Sequence, residues 1–550
     1  MTSRRSTRRE LLKLTGAGSV VALAGCSDEG ELVDEEGDDS APGGTDDSGT
    51  DDGDDRSGGR LVYSQQVAPI ALDPLDIGDI YSYQIAYRVF DQLYELDEET
   101  NMIPKVAASD PIIERDGERF IIELVEDAMF HDGEPLTAED VEYTLMAPVE
   151  QDEIGDDTME FIESTDIIDD HTLQIDLEIP YAPFQIEALT NSVVSKEARE
   201  ADREAYNTEM PIGSGPYRFV DWTQDEFVHL ERWDDYWDDP LPHVEEIEFV
   251  PVEEPTTRVT RLQTGESDAI DGIPPQIWDT VQEMDDVEVH EQPGINYFFV
   301  ALNCNQGPTA DPRVREAIDY CFSMDQAVEN FVEPAGLRNP SMVPLPVAES
   351  WDMPVDQWAD IPHDVDIDEA RRLFEEAGVP EDYEFRLLSP PDDIRENILV
   401  SVANGIQEAG WDTQVERLDW GAFLDQIESG DDDDYNLYAL GYLPGPDPDL
   451  FLYDMIHEDT AGDSPNGVFY ENDDVMSKLT QARESPDFDE RRELYIDVIT
   501  TLLEDRVHFA GYSPTTTVAS KDHVRDMAVH SRPRINPRMV SPFNNVWLDE

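Results

Sequence analysis

Pro211-Ile212-Gly213-Ser214-Gly215-Pro216-Tyr217-Arg218-Phe219-Val220-Asp221-Trp222 opens a stretch that runs on to Glu231-Arg232-Trp233-Asp234-Asp235-Tyr236-Trp237. Two prolines and two glycines within six residues exclude a helix or a central strand, so the stretch begins with a rigid turn. Tyr217, Phe219 and the Val220/Trp222 pair follow with strand chemistry. A second strand fits 226–232, where Phe227, Val228 and Leu230 are apolar, and Trp233, Tyr236 and Trp237 cluster past its end. A third strand over 244–252 points Ile247 and Phe249 inward. A helix over 256–264 follows, closed by Gly265, and Glu266-Ser267-Asp268-Ala269-Ile270 leads into another strand. On residue chemistry alone this is a β-meander plugged by aromatic rings, then one helix.

The whole chain has 550 residues, enough for two or three domains with substantial cores. Its formal net charge of −92 argues against nucleic acid as a partner, because phosphate binding needs basic patches. Such self-repulsion destabilises a compact chain in dilute buffer. At ~1 M salt the Debye length is about 3 Å and the repulsion is screened. An apolar fraction of 39 % is too high for a disordered acidic protein, so the charge reads as a solvated surface suited to a saline medium. Cys26, Cys304 and Cys321 form no Cys-x-x-Cys or Cys/His cluster, so no metal site is expected. Cys304 and Cys321 fit either a disulfide in an exported protein or two small buried side chains.

Along the body, Arg60-Leu61-Val62-Tyr63 opens a strand, Leu72-Asp73-Pro74 makes a turn, and Ile85, Val89, Phe90 and Leu93 fit one face of a helix over 82–93. Asp116-Gly117 signals a hairpin between strands at 112–114 and 120–124. In Phe130-His131-Asp132-Gly133-Glu134-Pro135-Leu136-Thr137-Ala138-Glu139-Asp140-Val141 the His-Asp pair invites a metal or acid–base reading. Asp-Gly as a turn, with Thr137 and Asp140 as a capping box, explains it better. Residues 171–177 alternate as a half-buried strand. Gly294 to Asn303 is an apolar strand, and Asp311-Pro312-Arg313-Val314-Arg315-Glu316-Ala317-Ile318 starts a helix with an N-cap and proline at N1. Helices are expected at 368–378, 397–410 and 491–504, and strands at 411–416 and 435–442.

Four linked motifs over residues 211–270 give the stretch its wider meaning: Gly-Ser-Gly-Pro-Tyr, Trp222-x-x-x-Glu226, Arg232-x-x-x-Tyr236-Trp237 and Leu262-Gln263-x-Gly265-Glu266-x-Asp268. At these spacings they resemble the family-5 extracytoplasmic solute-binding proteins, the peptide-, nickel- and oligosaccharide-binding subunits of ABC importers. The Phe-His-Asp-Gly string, the Asn296-Tyr297…Asn303 strand with its following helix, and Val415 to Leu424 resemble the same family, so the likeness covers about residues 61–545. It implies an α/β, two-lobe periplasmic-binding-protein-like fold of the large type II, with a ligand cleft between the lobes. Lobe one would hold residues 61–293, with an extra subdomain near 106–205. Lobe two would hold 294–512, and 513–550 would return to lobe one. The first crossing is expected near 292–294 and the second near 511–514.

The amino terminus fits export. Arg8-Arg9-Glu10-Leu11-Leu12-Lys13 and a short apolar run to Gly25 resemble a twin-arginine signal, which exports folded proteins. Leu23-Ala24-Gly25-Cys26 resembles a lipobox, whose cysteine is lipidated. Residues 1–26 would then be signal and anchor site, and the acidic, Gly/Ser-rich residues 27–60 a disordered tether. The expected place is the cell surface, on the outer face of the cytoplasmic membrane, as a monomer served by ABC permease subunits.

The resemblance implies capture without chemistry, and no cofactor is expected. The chain has no Gly-x-Ser-x-Gly and no His-Glu-x-x-His, which argues against a hydrolase. The loop Gly78, Asp79, Ile80, Tyr81 would line the cleft. In oligopeptide binders the strand matching 435–442 ends in Arg-x-Gly-Trp-x-x-Asp, whose Asp meets the peptide ammonium. Here the Arg position is Ala439, the Trp position is Tyr442 and the Asp position falls at Gly445. Asp447 is the expected substitute if the loop takes another path. Peptides are the first expectation. Oligosaccharides would suit Asn296, Tyr297, Trp420 and Tyr442, nickel lacks a His pair, and a chemosensor partner reads the same as an importer subunit.

Overall fold

The Gly-Ser-Gly-Pro turn is glycine-rich because another backbone passes against it. In the computed structural model, which describes residues 56–151, 157–273 and 277–549, a Cβ on Gly213 would stand 2.0 Å from the Val89 carbonyl oxygen, and one on Gly215 2.7 Å from that of Arg88. Gly215 N–H donates to Val89 at 2.9 Å, which locks the turn to the end of the helix Ile80–Val89. His131 closes the turn from the other side. Its backbone N–H donates to the Gly213 carbonyl at 2.8 Å, its Nδ1 accepts from Gly213 N–H at 3.4 Å, its Nε2 meets the Gly215 carbonyl at 2.9 Å, and its ring stands edge-on to Trp233. Burial pushes its pKa down to about 4, so it is a neutral structural residue.

The meander follows as Tyr217–Thr223, Phe227–Arg232 and Glu246–Pro251. Register shifts between Phe219 and Asp221, so Val220 is a bulge residue and lies exposed. The helix Pro255–Thr264 ends on Gly265 at φ 75°. Asp268 then accepts a bond from Val62 N–H at 2.8 Å and faces His523, tying the first strand to the chain's return.

These strands belong to one twelve-stranded mixed sheet. One arm runs Tyr217–Thr223, Phe227–Arg232, Glu246–Pro251, Arg60–Gln65, Ala269–Asp271; the other runs Asp412–Arg417, Glu384–Ser389, Leu437–Tyr442, Tyr297–Leu302. The strand His508–Lys521 joins them. Its first part pairs with Tyr297–Leu302, its second with Val287–Pro293 and Ala269–Asp271. The chain crosses between the arms at 293–297 and again within this strand, and the crossings are bonded to each other: Gly294 N–H donates to the Pro514 carbonyl at 2.8 Å. A Cβ on Gly294 would sit 2.5 Å from that oxygen, so only glycine fits.

The cores respect the two arms. Tyr297, Phe299 and Ala301 point into one cluster with Tyr438, Leu440 and Tyr495, while Val300 and Leu302 point into another with Val314, Leu387 and Val402. Leu61, Tyr63, Ile247 and Phe249 share a third cluster with Val524, Met527 and Leu548 of the carboxyl-terminal segment. A separate four-stranded sheet, Ile112–Glu114, Arg119–Glu123, Thr172–Leu177, Ile162–Asp169, buries Phe120, Ile122, Leu173 and Ile175 in its own cluster. The fold is thus α/β and two-lobed.

Some details differ from the sequence reading. The first helix begins at Ile80 rather than Ser82, because Asp79 is the N-cap and accepts from Ser82 N–H; Ile80 and Tyr81 are helical, not loop. The expected signal 1–26, with Cys26, and residues 27–55 of the expected tether lie outside the described residues. Residues 56–60 are docked on the body: Gly58 N–H donates to His243, and Arg232 donates to Ser57. Cys304 and Cys321 are free thiols, and burial raises both pKa values, that of Cys304 to about 11. Among the described residues no helix is long and apolar enough to cross a membrane.

Asp73, in the Leu-Asp-Pro turn, is fully buried and accepts from Arg199 Nε at 2.6 Å, with Arg199 equally buried. Removing one partner strands a buried charge, so Arg199→Met should cost about 3–5 kcal/mol in urea unfolding, with Asp73→Asn in the same chain recovering much of it.

Candidate functional site

In α/β folds with open sheets, ligands sit outside the carboxyl ends of the parallel strands. Here Arg60–Gln65 runs parallel to Glu246–Pro251 and Ala269–Asp271, and Glu384–Ser389 runs parallel to Asp412–Arg417 and Leu437–Tyr442. The carboxyl ends therefore collect Gln65 and Asp271 in lobe one and Ser389, Arg417 and Tyr442 in lobe two. Tyr297 is the cross-strand partner of Tyr442, which brings Asn296 and Phe298 to the same edge. Along the shared strand Asp271 pairs at Val518 and Phe298 at Tyr512. Six residues of strand separate the two levels by about 20 Å.

On the lobe-one edge, Arg258 clamps two strand ends. Its guanidinium donates to the carbonyls of Val252, Asp271 and Gly272. The Asp271 side chain is buried, with Gln84 Nε2 3.3 Å from Oδ2 and no hydrogen-bond partner on Oδ1. Burial pushes its pKa up to about 6, against the opposing pull of Arg258 and Gln84. Of the expected loop residues, Asp79 keeps one oxygen on Ser82 and has the other buried without a partner, while Tyr81 is buried and acts electrostatically on Arg258. Gly78 and Ile80 are half-buried beside them.

On the lobe-two edge, buried polar atoms without hydrogen-bond partners recur: Asn296 Oδ1, Tyr297 Oη, Trp420 Nε1 and Arg395 Nε. Arg395, on the first turn of the helix Asp393–Ala409, lies over the rings of Phe298 at 5.3 Å and Trp420 at 5.9 Å. Its Nε is 3.3 Å from Asp392 Oδ1 without the angle of a hydrogen bond. Tyr297 is fully buried and stacks on Phe299, so its ring is core. Tyr442 donates its hydroxyl to Asp454 at 2.8 Å.

Asp447 is not placed to receive an ammonium group. It is buried as the N-cap of the helix Pro448–Ile456, accepting from Asp449 N–H, and both its oxygens accept from Arg491 Nη2 at 2.7 and 2.9 Å. The expectation that it replaces the family aspartate is corrected accordingly. The place of that aspartate, Gly445, meets a carboxylate from lobe one: Glu187 Oε1 lies 3.7 Å from where a Gly445 Cβ would be. Thr158 donates to the other Glu187 oxygen at 2.6 Å. The lobes also touch where Ala182 N–H donates to the Arg483 carbonyl at 2.9 Å and Tyr181 lies under the Arg483 guanidinium. The sequence reading missed Asp271, Glu187 and Arg395. Arg395 alone carried a local signal, a cation in a helix's first turn, where the macrodipole disfavours it.

The sequence model of the bacterial extracellular solute-binding proteins, family 5 Middle, matches residues 101–463. The glutathione-binding protein GsiB of Pectobacterium atrosepticum is 28 % identical over 78 % of this chain and 83 % of its own length. The oligopeptide-binding protein AppA of Bacillus subtilis is 22 % identical over 87 % and 90 %. Among solved structures, the periplasmic binding protein DppA of Helicobacter pylori in complex with the peptide STSA superposes with a TM-score of 0.70. That match has 22 % identity over 90 % of this chain and 99 % of that one.

A structural role for Asp447 has a direct consequence. Arg491→Met should lower stability by about 3–5 kcal/mol in denaturant unfolding, while calorimetric affinity of the folded protein for its ligand stays within about twofold of wild type.

Proposed function

We propose that this chain, which belongs to the bacterial extracellular solute-binding proteins of family 5, captures short peptides between its lobes and delivers them to an ABC permease. One observation carries the choice of ligand. Buried polar atoms lacking partners gather on both strand-end edges, acidic in lobe one (Asp79, Asp271) and cationic or neutral in lobe two (Arg395, Asn296, Trp420). A zwitterion with an amide backbone answers both sets. Asp271 serves the ammonium group and Arg395 the carboxylate, while Glu187, beside Gly445, adds an acid near the lobe-two edge. The 20 Å between the edges, less the reach of the side chains, is covered by a few extended residues.

The same reading assigns 61–293 and 513–550 to lobe one, with a subdomain at about 106–205, and 294–512 to lobe two. Closure bends the paired crossings at Gly294 and Pro514. The twin-arginine signal and Cys26 would place the protein, lipid-anchored and monomeric, on the outer face of the cytoplasmic membrane, in a saline medium that screens its charge. No bond is made or broken in this role. A neighbouring permease gene would favour import, and a transducer gene sensing.

Titration calorimetry at ~2–3 M salt tests the ligand class. Di- to pentapeptides should bind, N-acetylated peptides should bind at least tenfold more weakly, and oligosaccharides not at all; binding of oligosaccharides alone would overturn the reading. Asp271 adds a pH signature. An acid whose folded pKa is raised holds its proton more tightly in the folded chain. Its contribution to stability is therefore full below the ordinary carboxylate range and is lost as pH rises through about 6. An ammonium group needs the ionised form, so affinity should climb with pH up to about 6, by at most tenfold per unit, and level off above it. Asp271→Asn should bind weakly at every pH, with that slope gone.

A further inference from the structure

Away from the cleft, lobe one holds a partly open cavity of about 50 Å³ lined by Arg88, Asp91, Glu95, Lys105, Tyr236 and Arg538, among others. It lies where the end of the helix Ile80–Val89 meets the carboxyl-terminal return. Arg88 is buried, donates Nη2 to the Ile535 carbonyl at 2.6 Å and makes no ion pair among the described residues; its Nη1 has no partner. Arg538 is buried as well. Its Nη1 also lacks a hydrogen bond, the nearest carboxylate being Glu98 at 3.6 Å, and its Nη2 lies 3.5 Å from Glu95.

The local acids are already engaged. Asp91 accepts from the Tyr236 hydroxyl and the Trp237 indole, both at 2.9 Å. Glu95 is shared between Arg538 and Lys105, and Lys105 reaches on to Asp238 at 2.7 Å. Glu95, Glu98 and Asp238 thus face Lys105 and Arg538, while Arg88 alone among the three cations lining the cavity makes no ion pair among the described residues. A buried cation without a counterion is strongly destabilising. In a chain of net charge −92 the return segment nevertheless brings Arg538 to this place.

We propose that this cavity binds one small monovalent anion of halide size, held between Arg88 Nη1 and Arg538 Nη1. On this measure one water needs about 10–15 Å³, so the space has room for one small anion together with a few waters. Glu95 and Asp91 on the wall disfavour a dianion. The site is separate from the cleft and does not rest on the ligand assignment above. It braces the first helix against the returning chain, so the anion stabilises lobe one.

Crystals of the full chain grown in sodium bromide test this directly. An anomalous peak in contact with both Nη1 atoms is expected; ordinary density there without anomalous signal would mean water and overturn the proposal. In solution, thermal unfolding in sodium chloride against sodium gluconate at equal ionic strength should show a higher transition in chloride. That gap should shrink by at least half in Arg88→Gln, which keeps a donor but removes the charge. An undiminished gap in Arg88→Gln would count against the site, and should that variant fail to fold, the bromide map alone decides.

Discussion

Everything in this molecule depends on one strand serving both arms of the large sheet. His508–Lys521 pairs with Tyr297–Leu302 at one end and with Val287–Pro293 and Ala269–Asp271 at the other. Between them the backbones run close enough for Gly294 N–H to reach the Pro514 carbonyl, with no room for a side chain. Two bonded crossings resist sliding and twisting but leave bending about the ribbon as the soft motion. Each lobe keeps its own apolar clusters, so bending exposes little core. The strand-end edges lie beside this ribbon, so in the proposed role bending and ligand contact would be parts of one event.

Scarce cations give the structure a second theme. The chain has 36 Lys and Arg against 128 Asp and Glu, and several of its arginines are interior. Arg199 holds Asp73, Arg491 holds Asp447, Arg483 holds Asp449, and Arg258 clamps two strand ends. Most described acids lie outside the buried interior, and arginines hold several of those within it. Salt screens the surface but hardly reaches these buried pairs.

Much of the fold was legible because it is local. The Gly-Ser-Gly-Pro turn, the capped helices ending at Gly265, Gly378 and Gly410, and the Asp-Gly hairpin each follow from a few adjacent residues. Small errors came from signals the apolar face does not carry: the Asp79 cap starts the helix at Ile80 rather than Ser82, and the bulge at Val220 has no composition signal. The site was less legible because its parts meet only in three dimensions. Asp447 looked available in the sequence, yet Arg491, forty-four residues away, takes its carboxylate. Glu187 comes to Gly445 from the other lobe. Local patterning cannot encode either meeting.

The central claim is that the lobes close on a peptide by bending at the paired crossings. The most direct test is the distance between spin labels on exposed Thr223 and Asp412, which stand on the two end strands of the large sheet. Measured by pulsed electron resonance with and without a saturating peptide, the distribution should narrow and shift as one population closes. Peptide binding by calorimetry with an unchanged, equally broad distribution would contradict the account.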